Sequence, residues 1–366
     1  MNRGRTIKLV AAVILAATLS GPPVRAELPS TSSGVLGQLM GDVASDRFDR
    51  FVHDFWPQAR HAGISRRVYE RAFRGIGPDP SVLQLAQDQP EFKTPVADYL
   101  AKRVTPQRIA AGQGMEQTYN ATLDRIERRY GVDREILLAI WGMESNFGSH
   151  KGEMSVIRSL ATLAYTGTRR KFGRSQLVAA LKILQRGDID ADGFTGSWAG
   201  AMGHTQFIPT TYNAYAVDWT GDGRRDIWNS IEDALASTAN YLAHSGWQRG
   251  LRWGYEVQLP PRLDRRLIGE QGRRSLAAWA RLGVRPASGE GFGASDAGAY
   301  LVMPAGSEGP AFLVTRNFKA ILKYNASVSY ALAVGHLGDR IGGAGGLVAS
   351  WPRDQRALGR VDRPPG

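Results

Sequence analysis

Apolar residues first fall on helical spacing at Phe48, Phe51, Val52, Phe55 and Trp56, three and four apart, the period that sets them on one helix face. Gly63 and the run Gly75-Ile76-Gly77-Pro78 punctuate this section, because glycine and proline interrupt regular structure. Between Pro95 and Tyr130 the pattern predicts two more amphipathic helices with charged outer faces. Ile136, Ile140, Met143 and Phe147 make the next stripe. Asp133 stands where its carboxylate can cap the free amides of that helix, and Gly148 where a helix naturally stops. Helices are predicted again over 174–186, through Leu177, Val178, Leu181 and Leu184, and over 231–243.

After Trp247 the period changes. Tyr255, Val257 and Leu259 alternate with polar residues, as do Tyr300 with Val302 and Phe312 with Val314; a period of two means short strands. A last helix is predicted from Tyr330 to Ile341, and the glycines at 342–346 read as a hinge to a tail. The fold class is therefore mainly α, of the α+β kind, with an N-terminal helical region and a small C-terminal lobe that contains the strands. The expected organisation is a leader over 1–26, a linker over 27–45, a working domain over 46–352 and a flexible tail over 353–366. That domain divides into a helical N-terminal lobe (46–130), a Gly- and Trp-rich core (131–247) and a section of strands and final helix (248–352).

The first residues change the picture of where the protein works. Arg3, Arg5 and Lys8 precede an apolar run from Leu9 to Leu19, and Gly21-Pro22-Pro23 and Ala26 follow. This is the pattern of a secretory signal peptide; eleven apolar residues fall well short of the ~20 that span a bilayer. The mature chain is expected in a bacterial periplasm, soluble. Loss of Arg3, Arg5, Lys8 and Arg25 takes the formal charge from +12 to +8, which suits an acidic polymer. Export argues against nucleic acid and for cell-wall glycan with carboxylate-bearing peptides. The chain has no cysteine, so a thiolate nucleophile, Cys-ligated zinc and a lipid-modified cysteine are all excluded. There is no complete G-x-S-x-G, no H-E-x-x-H, and no phosphate-loop context around Gly342–Gly346.

Glu144 borders the apolar stripe near the end of its helix, three residues from Trp141 and four from Ile140. A partly desolvated carboxylate there would have a raised pKa, the state a general acid needs; the plain alternative is a solvated glutamate at a helix end. Residues 196–207 read GSWAGAMGHTQF. The glycines let backbone approach a ligand, Ser197, His204, Thr205 and Gln206 offer hydrogen bonds, and Trp198 and Phe207 offer flat apolar faces. That mix suits a sugar, and a tight structural turn is the alternative. Asp218, Thr220 and Asp222 take positions one, three and five of an EF-hand-like loop, with Gly223 at six. Asp226 holds position nine, but Asn229 stands at twelve, where a glutamate is expected. Glu232 or Asp233 could close the site one turn later, and a metal-free Asx turn is the alternative.

Taken together, WGMESNFG (141–148), SLATLAY (159–165), AALKILQRGDI (179–189), WAGAMGHTQFIPTTY (198–212), AVDWTGDGRRDIWN (216–229), NYLAHSGW (240–247) and RNFKAILKYNASVSYALAVGHLGDRI (316–341) resemble the lytic murein transglycosylases of the membrane-bound B type. The likeness runs from about Phe48 to about Pro352. It implies a lysozyme-like helical catalytic core and cleavage of the β-1,4 bond between N-acetylmuramic acid and N-acetylglucosamine, leaving 1,6-anhydro ends. It implies Glu144 as the single acid and base, with Ser197, Gln206, Tyr324, Asn325 and Tyr330 around the muramic acid. It also implies a structural Ca2+ on Asp218, Thr220, Asp222, the Arg224 carbonyl and Glu232, and no organic cofactor. The partner implied is the peptidoglycan strand, with cell-wall synthesis enzymes as candidate associates. Without a cysteine to lipidate, this chain is expected to be a soluble member. A hydrolytic muramidase and a non-catalytic, calcium-assisted peptidoglycan-binding protein are the alternatives.

Overall fold

A computed structural model describes residues 33–87, 94–293 and 296–352. The first helices are α1 (Ser33–His61), α2 (Arg66–Phe73) and α3 (Pro80–Gln87). Then come α4 (Val96–Arg103), α5 (Pro106–Thr118), α6 (Asn120–Tyr130) and α7 (Arg134–Ser145). Strand β1 (Met154–Ser155), α8 (Val156–Tyr165), α9 (Arg170–Arg186), β2 (Thr195–Gly196), α10 (Pro209–Tyr215) and α11 (Ile231–His244) follow. The last section holds β3 (Gly254–Gln258), β4 (Gly269–Ser275), α12 (Leu276–Arg281), β5 (Arg285–Pro286), β6 (Gly298–Val302), β7 (Ala311–Val314), α13 (Arg316–Tyr324) and α14 (Val328–Ile341). The mainly α class with a small sheet-containing section is what the periodicity predicts.

The boundaries have local causes. Ser65 caps α2 by accepting from the Val68 amide, and Thr105 caps α5 the same way on Arg108. Pro106 stands at the first position of α5, where its missing N–H costs nothing. That cap splits the Pro95–Tyr130 stretch into three helices where two are expected. Gly131 and Gly187 end α6 and α9 in the left-handed conformation. The expected linker is helical from Ser33 onward, because Val35, Leu36, Leu39, Met40 and Val43 keep helical spacing between its small residues. The leader, residues 27–32 and the expected tail lie outside the described residues. The glycines at 342 and 343 end α14, and the chain beyond is tied down: Glu256 on β3 accepts from the amides of Val348 and Ala349, both at 2.8 Å.

The contacts group the chain into two compact units, each built from separated stretches. They do not follow the consecutive sections read from the sequence. One unit takes its described residues from 33–87 and 148–237. Its core lies between α8 and α9, where Leu160, Leu163, Leu177 and Leu181 are buried, and α2, α3 and α10 pack around that pair.

The other unit takes its described residues from 94–147 and 238–352. Helix α7 is its axis. Leu137, Leu138, Ile140 and Trp141 are buried there, packed against α5 and α14; each such aliphatic side chain contributes roughly 1.5–3 kcal/mol. The sheet of this unit is antiparallel with strand order β4-β6-β7-β3-β5. Ala311 and Leu313 of β7 join Val257, Leu301 and Trp279 in one core cluster. The ring of Phe312, the residue between them, neighbours Trp253, which in turn neighbours Phe318. Period two therefore sends β7 side chains to two buried faces, and all four residues are covered.

Candidate active site

Glu144 is the penultimate residue of α7 and is half-buried. The helix stops just beyond it in an unusual way. Asn146 and Phe147 both take left-handed backbone, with φ 49° and 57°. Asparagine tolerates this; phenylalanine does so at a cost of roughly 1–2 kcal/mol. Packing holds the strain in place. The Phe147 ring meets Trp141 edge-on at 5.5 Å and covers Gly142, where any Cβ would lie 2.7 Å from Phe147 Cζ. The turn that fixes the direction of Glu144 thus depends on glycine one helical step behind it.

Tyr330, near the start of α14, donates its hydroxyl to Oε1 of Glu144 at 2.6 Å. The phenol is fully buried. Burial first, and then the neighbouring Glu144 charge, hold its pKa well above the ordinary tyrosine value, so it serves as a fixed proton donor in a hydrogen bond. Ser327 caps α14 on the Tyr330 amide, and the Asn325 carboxamide oxygen accepts from the Ser327 amide at 3.0 Å. Tyr324, the last residue of α13, packs its ring edge-on to Tyr241 at 5.2 Å. The structure therefore puts Tyr324, Asn325 and Tyr330 on one corner, α13 to α14, and joins that corner to Glu144 through Tyr330.

Ser197 and Gln206 belong to the other unit and shape one loop there. The Ser197 hydroxyl accepts from the Ala201 amide at 3.0 Å. Gln206, itself at φ 53°, donates to the carbonyls of Lys151 and Gly203, both at 2.9 Å. The space expected for a ligand at the glycines is partly filled by protein: a Cβ on Gly203 would lie 2.3 Å from the Ile227 carbonyl oxygen. Met202 and Phe207 pair through their backbones and are almost wholly buried. They are core, and the expectation that they offer an apolar face toward Glu144 is corrected. His204 is buried too. Burial first, then Lys151, pulls its pKa down to about 4, which leaves the ring neutral at pH 7.

The Asp218 loop is tightly wound. The Asp218 carboxylate accepts from the amides of Gly221, Asp222 and Gly223, and Asp222 accepts from the Arg224 amide. What burial Asp218 has would raise its pKa; the three amides outweigh this and hold it below the ordinary range. The residue missed from the sequence is Asp233. It is fully buried and accepts from the amides of Trp219, Thr220 and Asp226 at 2.9–3.1 Å. The signal was available: Ser230-Ile-Glu-Asp233 is a capping-box pattern at the start of α11, and Ser230 does accept from the Asp233 amide. The Asp233 carboxylate goes to the loop instead of back to the cap. The Asp133 cap fails differently. Asp133 does precede α7, but its side chain makes no cap hydrogen bond. It is buried beside Glu135, Glu127 and Asp339, where a negative charge is disfavoured.

The comparisons with known proteins bear on this arrangement. The model of the Transglycosylase SLT domain matches residues 47–339. The chain is similar to membrane-bound lytic murein transglycosylase B of Escherichia coli (strain K12), at 28% identity, with 93% of this chain and 98% of that protein covered. It is similar in structure to SltB3 from Pseudomonas aeruginosa, solved in complex with NAG-anhNAM-pentapeptide. That pair shares 52% identity, a TM-score of 0.81, and 84% and 82% coverage of this chain and that one. The Escherichia coli lytic transglycosylase Slt35, solved in complex with calcium, matches at 29% identity and a TM-score of 0.68, covering 81% of this chain and 92% of that one.

Proposed function

This chain belongs to the transglycosylase SLT domain family, and from that premise we propose how its residues act. It is a lytic murein transglycosylase, cutting the β-1,4 bond between N-acetylmuramic acid and N-acetylglucosamine in peptidoglycan to leave 1,6-anhydro ends. Residues 46–352 are its working module.

Glu144 carries the proton both ways. It gives its proton to the glycosidic oxygen as the bond to the muramic acid anomeric carbon breaks, and N-acetylglucosamine leaves with a free hydroxyl. The muramic acid's own N-acetyl oxygen bonds to the anomeric carbon and offsets the developing positive charge. This replaces the second carboxylate of ordinary glycosidases. The Glu144 carboxylate then takes the proton of the C6 hydroxyl, whose oxygen closes on the anomeric carbon as the N-acetyl oxygen departs. Glu144 ends protonated, and no water is consumed. The ring closure is intramolecular and gains from high effective molarity.

The observation that carries this reading is the 2.6 Å hydrogen bond from Tyr330 to Glu144. It holds one carboxylate oxygen and leaves the other for the substrate. Tyr324, Asn325, Ser197 and Gln206 are assigned to the muramic acid. The test is Glu144→Gln, which keeps shape and removes the transferable proton. Release of soluble fragments from purified sacculi should fall at least about a thousandfold with the melting temperature unchanged; retained release would move the chemistry elsewhere.

The Asp218 loop fits a hard cation. Its side chains offer only oxygen at Asp218, Thr220 and Asp222, the donor type Ca2+ prefers. Among the described residues no three His, Asp or Glu side chains gather as a metal cluster, so an ion here would also need the Thr220 hydroxyl and the Arg224 carbonyl, with Glu232 closing the site. Its role would be structural. Residues 1–26 are assigned as a cleaved leader and the mature enzyme to the periplasm. In support, no helix among the described residues is long and apolar enough to cross a membrane.

A further inference from the structure

Arg169 stands just before α9, and its guanidinium lies over the Trp198 ring, 5.3 Å from the centroid, with Phe172 on another side at 5.9 Å. Other arginines of this chain stack on rings too, but they also hold an acid. Arg66 lies over Trp56 and pairs with Glu70. Arg225 lies over Tyr212 and pairs with Asp188, and Arg252 lies over Tyr255 and pairs with Asp339. Among the described residues none pairs with Arg169 as a carboxylate or a hydrogen-bond acceptor. Burial lowers its pKa, and no acid offsets the effect. The first turn of α9 has no acidic residue and reads Arg170-Lys171. A half-buried cation, oriented by two aromatic faces and lacking an internal counter-ion, is an unfinished ion pair.

Its position gives the missing partner a chemistry. Trp198, on which it rests, directly follows Ser197, assigned above to the muramic acid. The peptide stem of peptidoglycan begins on that sugar and carries carboxylates. Stacking leaves the planar N–H fork of arginine free at its edge, where it matches a carboxylate with two parallel hydrogen bonds. We propose that Arg169, held against Trp198, is the anchor for a carboxylate of the substrate's peptide stem and makes this enzyme prefer strands with acidic stems. The inference rests on the transglycosylase reading. It adds a specificity-determining residue to it.

The test crosses two enzymes with two substrates. Stem-bearing glycan strands are used as they are, or after conversion of the stem carboxylates to amides with a carbodiimide and ammonia. Amidation should raise KM for the wild type about tenfold and leave kcat nearly unchanged, the scale of one charge-assisted contact. Arg169→Ala should lose a similar factor on acidic strands and less than about twofold on amidated ones. Arg169→Lys, which keeps the charge and loses the fork, should fall between them. Binding of the same strands to the Glu144→Gln protein should follow the same order, without turnover. If Arg169→Ala loses equally on both substrates, its role is to support the loop and the proposal is overturned. If the wild type does not distinguish the substrates, it is overturned whatever the variants do. Strands with the stems removed enzymatically separate the other source of the anion, the lactyl carboxylate. A full Arg169 effect there would also overturn the assignment. Should the wild type release no anhydro product from any strand, it is the transglycosylase reading that fails, and binding to the Glu144→Gln protein still decides the anchor.

Discussion

The hydroxyl of Tyr330 meets Oε1 of Glu144 at 2.6 Å, so the fully buried end of one helix fixes the half-buried end of another. Tyr330→Phe keeps the ring and removes the donor. A hydrogen bond to a charged group contributes about 1.5–3 kcal/mol, so kcat should fall roughly tenfold to a hundredfold while KM changes little. Steady-state kinetics on soluble strands checks this, with the melting temperature as the control for folding.

Gly142 gives room to the Phe147 ring, and a methyl there would meet it at 2.7 Å. Gly142→Ala should destabilise the protein by about 1–3 kcal/mol, the usual range for overpacking, and lower activity because the strained turn beside Glu144 must shift. Urea unfolding and sacculus digestion read the two effects. An alanine variant with full stability and activity would show that the turn has slack.

Asp133 and Asp339 predict a pH dependence. Burial first, then Glu135, Glu127 and Asp339, pushes Asp133 up to about 7. Burial pushes Asp339 up to about 6 against the pull of Arg252 and the Trp253 indole N–H. Unfolded, both would titrate near about 4. Their contribution is therefore fully present below that pH and lost as pH rises through about 6 to 7. His204 and His336, each held down to about 4 chiefly by burial, act oppositely: their contribution is present above about 6.5 and lost as pH falls. Asp133→Asn removes one group from the balance. Its stability relative to the wild type should rise steadily between about pH 4 and about pH 8 in urea unfolding; a constant difference would contradict this.

Asp233 ties the Asp218 loop to α11 through three amides. Asp233→Ala leaves those donors without their partner and should cost about 2–4 kcal/mol. If the loop binds Ca2+, the wild type melts higher in millimolar calcium, and Asp218→Ala abolishes the shift while leaving the calcium-free melting temperature within a few degrees. No shift in the wild type would leave the loop as a metal-free turn.

Much of this fold can be read from spacing. The stripe Ile136, Ile140, Met143 marks α7, and Glu144 at its edge lies half-buried at the helix end, as the pattern predicts. The alternation at Tyr255, Tyr300 and Phe312 marks three of the strands. What escapes is set by tertiary contact. A capping aspartate reads the same whether its carboxylate turns to the helix or into an acidic cluster, so Asp133 misleads. Asp233 follows its own capping pattern yet serves a loop eleven to fifteen residues back in the sequence. Glycines at 196–203 look like space for a ligand until the Ile227 carbonyl fills one of the places. The left-handed Phe147 leaves no signal, because only packing against Gly142 and Trp141 permits it.

The central claim is that one carboxylate moves a proton out and back while the sugar closes on itself. Digestion of purified sacculi in water enriched in oxygen-18, with the fragments weighed by mass spectrometry, tests it most directly. The account predicts anhydro-muramoyl ends with no heavy oxygen, absent with Glu144→Gln. Reducing muramic acid ends, heavier by one labelled water, would contradict it.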